Sequence, residues 1–148
     1  MFKKFIQSFL HFVFLVSRPL TLGVRGICCD VKNNKVLLVK HTYSEEWALP
    51  GGGVEVGESS KTALKREFLE EVGIICEEET VIDVYQNKSI SRRDHVIIFV
   101  INHWTEKNIY DQPKLEISNV KWFFLDDLPK NITPCSSYAI KKYIEFIR

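Results

Sequence analysis

Apolar residues recur along the chain in two rhythms, and each change of rhythm marks a new element. Phe2, Phe5, Ile6, Phe9, Phe12, Val13 and Val16 fall at i, i+3, i+4, i+7 spacing, which predicts an amphipathic opening helix. Pro19 ends it, because the residue before a proline disfavours helical angles. Thr21 to Asp30, with small and β-branched residues, reads as a strand. Lys32 to Lys35 reads as a turn whose asparagines accept left-handed angles, and Val36 to Val39 returns as a buried strand, completing a hairpin. Trp47-Ala48-Leu49 is a short apolar piece closed by Pro50 and the glycines 51–53. Ser59 or Ser60 caps a predicted helix that runs to about Val72 and stops at Gly73. Strands follow at Val81 to Tyr85, His95 to Trp104 and Val120 to Leu125. Ser136 or Ser137 caps a last helix whose stripe is Ala139, Ile140, Tyr143, Ile144 and Ile147. Strands, a helix, strands and a helix in that order predict an α/β (α+β) fold, an α/β/α sandwich around one mixed sheet.

Composition adds limits. The chain has 148 residues, 45% of them hydrophobic, which suits one domain with a real core and excludes disorder as the main state. Twenty basic and 19 acidic residues leave a net charge of +1, too little for a DNA-sized basic field, so no DNA partner is expected. Five of the 10 phenylalanines lie in the first 14 residues, alongside Lys3 and Lys4 and no acid. The apolar run from Phe9 to Val16 falls short of the roughly 20 residues that span a bilayer, and Ser17-Arg18-Pro19 is a poor cleavage site. Residues 1–18 are therefore expected to form a separate helix, with the main domain over 19–148. That helix is expected to pack on its own domain or on a second copy as a homodimer contact, or to lie on a membrane surface as a peripheral contact. Cys28, Cys29, Cys76 and Cys135 show no metal or redox spacing and read as buried free thiols, which points to a cytoplasmic location.

The candidate chemistry lies between Gly52 and Ile74. Glu67, Glu70 and Glu71, at i, i+3 and i+4 on the predicted helix, put three carboxylates within about one turn. Such like charges repel by roughly 0.2–0.5 kcal/mol per pair on an open helix. Arg66 offers one compensating pair, so a further cation is expected, and hard oxygen ligands suit Mg²⁺ or Mn²⁺ better than zinc. Leu64, Phe68 and Val72 supply the apolar side that fixes this helix to the sheet. The glycine loop upstream can bring bare backbone to the same ion or to a phosphate.

The spacing is more specific than the cluster. Gly52, Glu58, Arg66, Glu67, Phe68, Glu70, Glu71, Gly73 and Ile74 stand in a pattern that resembles the box of the Nudix hydrolases. Phe68 replaces the aliphatic residue more usual there and keeps the position apolar. Trp47-Ala48-Leu49-Pro50-Gly51-Gly52 and Trp122-Phe123 also resemble landmarks of that family, so the resemblance covers about residues 20–148. It implies an α/β/α sandwich and hydrolysis of a diphosphate joined to another moiety, often a nucleoside, with Mg²⁺ or Mn²⁺. It implies that Glu70 and Glu71 ligate the metal, with Glu67 a further ligand or the base that activates water. Arg66 would orient a glutamate, Gly51 would offer its carbonyl to the metal, and Glu58 would order the loop–helix junction. Glu116, six residues before Trp122, would complete the catalytic set.

The box supplies a reaction and leaves the substrate open. A nucleoside di- or triphosphate, or a related nucleoside diphosphate derivative, is the expected class. His41, Tyr43, His95 and Trp104 are candidates for a base pocket. Two alternatives stand beside this reading. One is a nucleotide-binding module of the same fold without catalysis. The other is an RNA 5′-end pyrophosphohydrolase, for which Lys88, Arg92 and Arg93 offer a modest basic cluster.

Overall fold

A computed structural model describes residues 2–107 and 115–147. Helix α1 spans Phe2–Ser17, and β1 (Thr21–Asp30) and β2 (Lys35–His41) follow. The short strands β3 (Trp47–Ala48) and β4 (Gly51–Gly53) lead into helix α2 (Ser60–Val72). The long strands β5 (Ile74–Gln86) and β6 (Asp94–Glu106), then β7 (Ile117–Phe124), precede helix α3 (Pro134–Phe146). The sheet runs β3-β2-β1-β6-β5, with β4 paired to β1 over Gly23–Arg25 and β7 paired to β2. Strands β1 and β6 are parallel, whereas β2 pairs antiparallel with β1, β3 and β7. Strand β1 is thus the seam on which the halves of the sheet meet.

Side-chain alternation along these strands builds two cores. Val24, Cys28, Leu37, Val39, Phe99 and Ile101 face α2 through Leu64, Phe68 and Val72. Ile27, Val36, Leu38, Ile98 and Val100 face α3 through Ala139, Ile140 and Tyr143. The result is the expected α/β/α sandwich. All four cysteines are free thiols. Burial pushes Cys29 and Cys135 up to about 11 and Cys76 up to about 12, and raises Cys28 as well. Burial thus disfavours the thiolate form of each.

Several expectations are corrected. Strand β5 starts at Ile74, seven residues before the expected Val81. It is an edge strand, where a polar run such as Glu77–Glu79 costs little. There Glu79 lies 3.5 and 3.4 Å from Lys61 and Lys65 of α2. Helix α3 is capped by Thr133, with Pro134 in its first turn, rather than by Ser136 or Ser137. The Ser136 hydroxyl instead accepts the Leu49 N–H at 2.8 Å, tying α3 to the strand before the glycines. Ile147 lies past the helix end and is exposed. Helix α1 does not pack on its own domain, for every residue from Lys3 to Leu20 is exposed. Among the described residues no helix is long and apolar enough to cross a membrane.

Candidate active site

Strand β4 is a backbone strip laid against β1, with Gly23, Val24 and Arg25 opposite Gly53, Gly52 and Gly51. At Gly51 φ is 144°, and a Cβ there would meet the Val24 carbonyl at 2.0 Å, so only glycine lets the two strands close. Helix α2 approaches this strip from behind. Its start is fixed by Ser59, whose side chain accepts the Thr62 N–H, and its end by Gly73 at φ 66°.

Two glutamates one turn apart on α2 are buried on the strip side. Glu67 is 6% exposed and Glu71 is 3% exposed. Glu71 accepts the Gly51 N–H at 3.0 Å, and its other oxygen lies 3.4 Å from His41 Nε2. Glu67 accepts a 2.7 Å bond from Arg66. The same guanidinium donates to both oxygens of Glu58, at 3.1 and 2.7 Å, and to the Gly53 carbonyl at 3.2 Å. Arg66 thereby clamps the loop to the helix. It holds the Glu58 carboxyl below its ordinary range, and Glu58 in turn raises Arg66. Glu70 is half-buried one step round the helix, with Oε2 3.6 Å from Arg66 Nη1.

Glu67 and Glu71 open onto a cleft of about 390 Å³. His41 lines it, and Tyr43 stands 76% exposed at its mouth, stacked on His41 with ring centroids 5.1 Å apart. Glu116 also lines the cleft, beside His41 and Tyr43, and its carbonyl accepts the Thr42 N–H at 2.8 Å. Partial burial, and after it the Glu116 carboxylate, pushes the Tyr43 hydroxyl above its ordinary value. Gly51 and Gly52 form the floor.

Three candidates are placed elsewhere. Glu70 does not line the cleft. His95 lies between Asp94 and Val96, which do line it, and strand alternation turns His95 to the other face of β6. Trp104 stacks on Trp122 at 5.7 Å beside the α2 core.

Three lining residues were not singled out from the sequence. Arg25 donates to the Leu49 and Gly51 carbonyls at 3.1 and 2.8 Å and so fixes the loop from the β1 side. Its signal was a lone charge in an apolar strand. Asn87 and Asp94, joined by a 3.0 Å hydrogen bond, form the far wall, and nothing in the local sequence distinguishes them. Arg25 and Asn87 also line a second cavity of about 310 Å³ that reaches Thr133 and Cys135. The space therefore continues beyond the carboxylates.

The donor set fits a hard divalent cation. Carboxylate oxygens are its preferred ligands. Gly52 leaves room above Glu67, where a Cβ would stand 2.6 Å from Oε1. Among the described residues no three His, Cys, Asp or Glu side chains form a ready cage. Arg66, His41 and the Gly51 N–H hold two of the carboxylates instead.

Comparison with known proteins bears on the same region. The family model described as the NUDIX domain matches residues 19–143. The ADP-ribose pyrophosphatase of Methanocaldococcus jannaschii is 35% identical over 105 residues, 67% of this chain and 60% of that protein. Diphosphoinositol polyphosphate phosphohydrolase 2 of Rattus norvegicus is 27% identical over 122 residues, 79% of this chain and 64% of that one. The matched stretch is thus less than two thirds of either relative's length. A solved NUDIX hydrolase from Nitrosomonas europaea superimposes with a TM-score of 0.74 at 22% identity, covering 87% of this chain and 91% of that one. That likeness is one of fold.

Proposed function

The chain belongs to the Nudix family, and on that footing we propose that it hydrolyses the diphosphate linkage of a nucleoside di- or triphosphate, or of a related nucleoside diphosphate derivative, with Mg²⁺ or Mn²⁺. One observation carries this reading: the buried carboxylates of Glu67 and Glu71 face a cleft across a floor of bare glycine backbone.

A diphosphate resists hydrolysis because its own negative charge repels nucleophiles. Bound Mg²⁺ or Mn²⁺ neutralises that charge and makes a bound water more acidic. Glu67 and Glu71, with the Gly51 carbonyl, are the hard oxygens that would hold the ion in the cleft, and Glu70, one step round α2, would join them by turning its side chain toward it. Arg66 keeps Glu67 aimed at the glycine strip, and the Gly51 N–H does the same for Glu71. Arg25 fixes the Gly51 carbonyl from the opposite side. Glu67 or Glu116 would take the proton from water attacking in line. His41 and Tyr43 offer a stacked ring pair on which a base can lie. The second cavity leaves room for the remaining moiety.

The test is a panel of nucleoside triphosphates and diphosphate derivatives incubated with Mg²⁺, with the products identified. Glu71→Gln should lower kcat by about 10²–10⁴, with the melting profile retained. The variant that removes the base, Glu67→Gln or Glu116→Gln, should also flatten the acidic limb of the rate profile. A wild type no faster than Glu71→Gln on every compound would sink the reading.

A second reading has one observation in its favour. Lys88, Arg92 and Arg93 are exposed on the 87–93 loop, whose Asn87 and Ile90 line the cleft. A basic rim of that kind suits the 5′ end of an RNA. A triphosphorylated RNA oligonucleotide in the same panel, cleaved in preference to free nucleotides, would select it.

A further inference from the structure

Helix α1 lies outside the hydrolase reading. It is 16 residues long, about 24 Å, and too short for a hydrocarbon core of about 30 Å. Its apolar side chains stay in water: Phe5 is 70% exposed, Phe9 58% and Phe12 63%. A helix with no partner does not ordinarily display such a face.

The arrangement around the axis is two-sided for most residues, with the exposed Leu10, Phe14 and Leu15 outside the main apolar arc. At 3.6 residues per turn, Phe5, Ile6, Phe9, Phe12, Val13 and Val16 fall within an arc of about 120°. Lys4, Gln7, His11 and Arg18 gather on the opposite side. Arg18 continues the last turn, its N–H bonded to the Phe14 carbonyl at 2.9 Å, and its guanidinium rests 5.1 Å from the Phe14 ring centroid. From Phe2 to Arg18 there is no acid.

Two occupants of the apolar face can be compared. A second copy would bring two acid-free basic helices together with no opposite charge between them. An anionic bilayer supplies that opposite charge. Its interface takes the apolar arc into the acyl boundary, and its headgroups meet Lys3, Lys4 and Arg18. The exposed Leu20 and Leu22 continue the apolar path from the helix to the cleft, which Leu22 lines.

We propose that α1 is a peripheral membrane anchor that lies flat on an anionic lipid surface and holds the catalytic cleft next to it. The test is co-sedimentation of the full chain with phosphatidylglycerol–phosphatidylcholine vesicles and with phosphatidylcholine vesicles alone. Retention on the anionic vesicles should be at least tenfold greater and should fall steeply in about 1 M salt, where charge attraction is screened within about 3 Å. Phe9→Glu with Phe12→Glu should abolish retention, and Lys4→Gln with Arg18→Gln should reduce it. Both variants should keep wild-type hydrolysis of soluble nucleotides, because α1 does not support the fold. No retention on either vesicle would overturn the proposal. So would equal retention on neutral lipid, or a dimer in sedimentation equilibrium that the phenylalanine variant dissolves. The readout is binding, so its failure is separate from failure of the hydrolase reading.

Discussion

Gly52 sets the access to Glu67. Its missing side chain is the space in front of a buried carboxylate, and one methyl group would intrude to 2.6 Å from Oε1. Gly52→Ala should therefore turn Glu67 off the Arg66 bond and lower kcat at least tenfold. The stability cost should stay within the roughly 1–3 kcal/mol of ordinary overpacking. Steady-state kinetics beside thermal melts check this, and unchanged kcat would count against it. Arg25 works on the same strip from the other side, through two backbone carbonyls. The spacing of acids in the chain made Glu67, Glu70, Glu71 and Arg66 readable. Arg25, Asn87 and Asp94 were less so, because residues far apart in sequence meet only when β1, β5 and β6 align.

The junction between the glycine loop and α2 is held by one ion-pair cluster. Glu58 accepts two bonds from Arg66, and a third from the Glu55 N–H at 2.9 Å. Its carboxyl is lowered in the fold, chiefly by Arg66. Such a group adds stability that is fully present above its unfolded value, about 4.3, and lost as pH falls through the lower folded value. Glu58→Gln should thus lower the denaturant midpoint near pH 7, and the gap to wild type should close as the solution is taken below about pH 4. A gap undiminished in acid would exclude this linkage. Helix α2 and the β1–β2 hairpin were legible because their periodicity and caps are local. The start of β5 was not, since an edge strand tolerates glutamates that no buried strand would carry. The Thr133 cap was masked by two better-looking serines, one of which is spent on Leu49. The helical stripe of α1 was readable in sequence, but nothing local told that no part of the domain would cover it.

The molecule is two helical layers on a sheet whose seam, β1, is parallel to β6. The carboxylates, the glycine strip and the far wall all hang from that seam. The Thr21 hydroxyl donates to Asp94 across 73 positions of sequence, while Gly51 and Glu71 are only 20 apart. This disparity has a kinetic consequence. Loop closure over the longer span is entropically dearer, and parallel pairing forms slowly, so α2 and its glycine contact can arise before β1 finds β6. In stopped-flow refolding, helical ellipticity should recover ahead of the binding of a fluorescent nucleotide, which should return only with the slowest phase. Simultaneous recovery would refute this order. A chain folded by that route acquires its cleft last, so its incomplete forms lack the walls that would hold the proposed substrate.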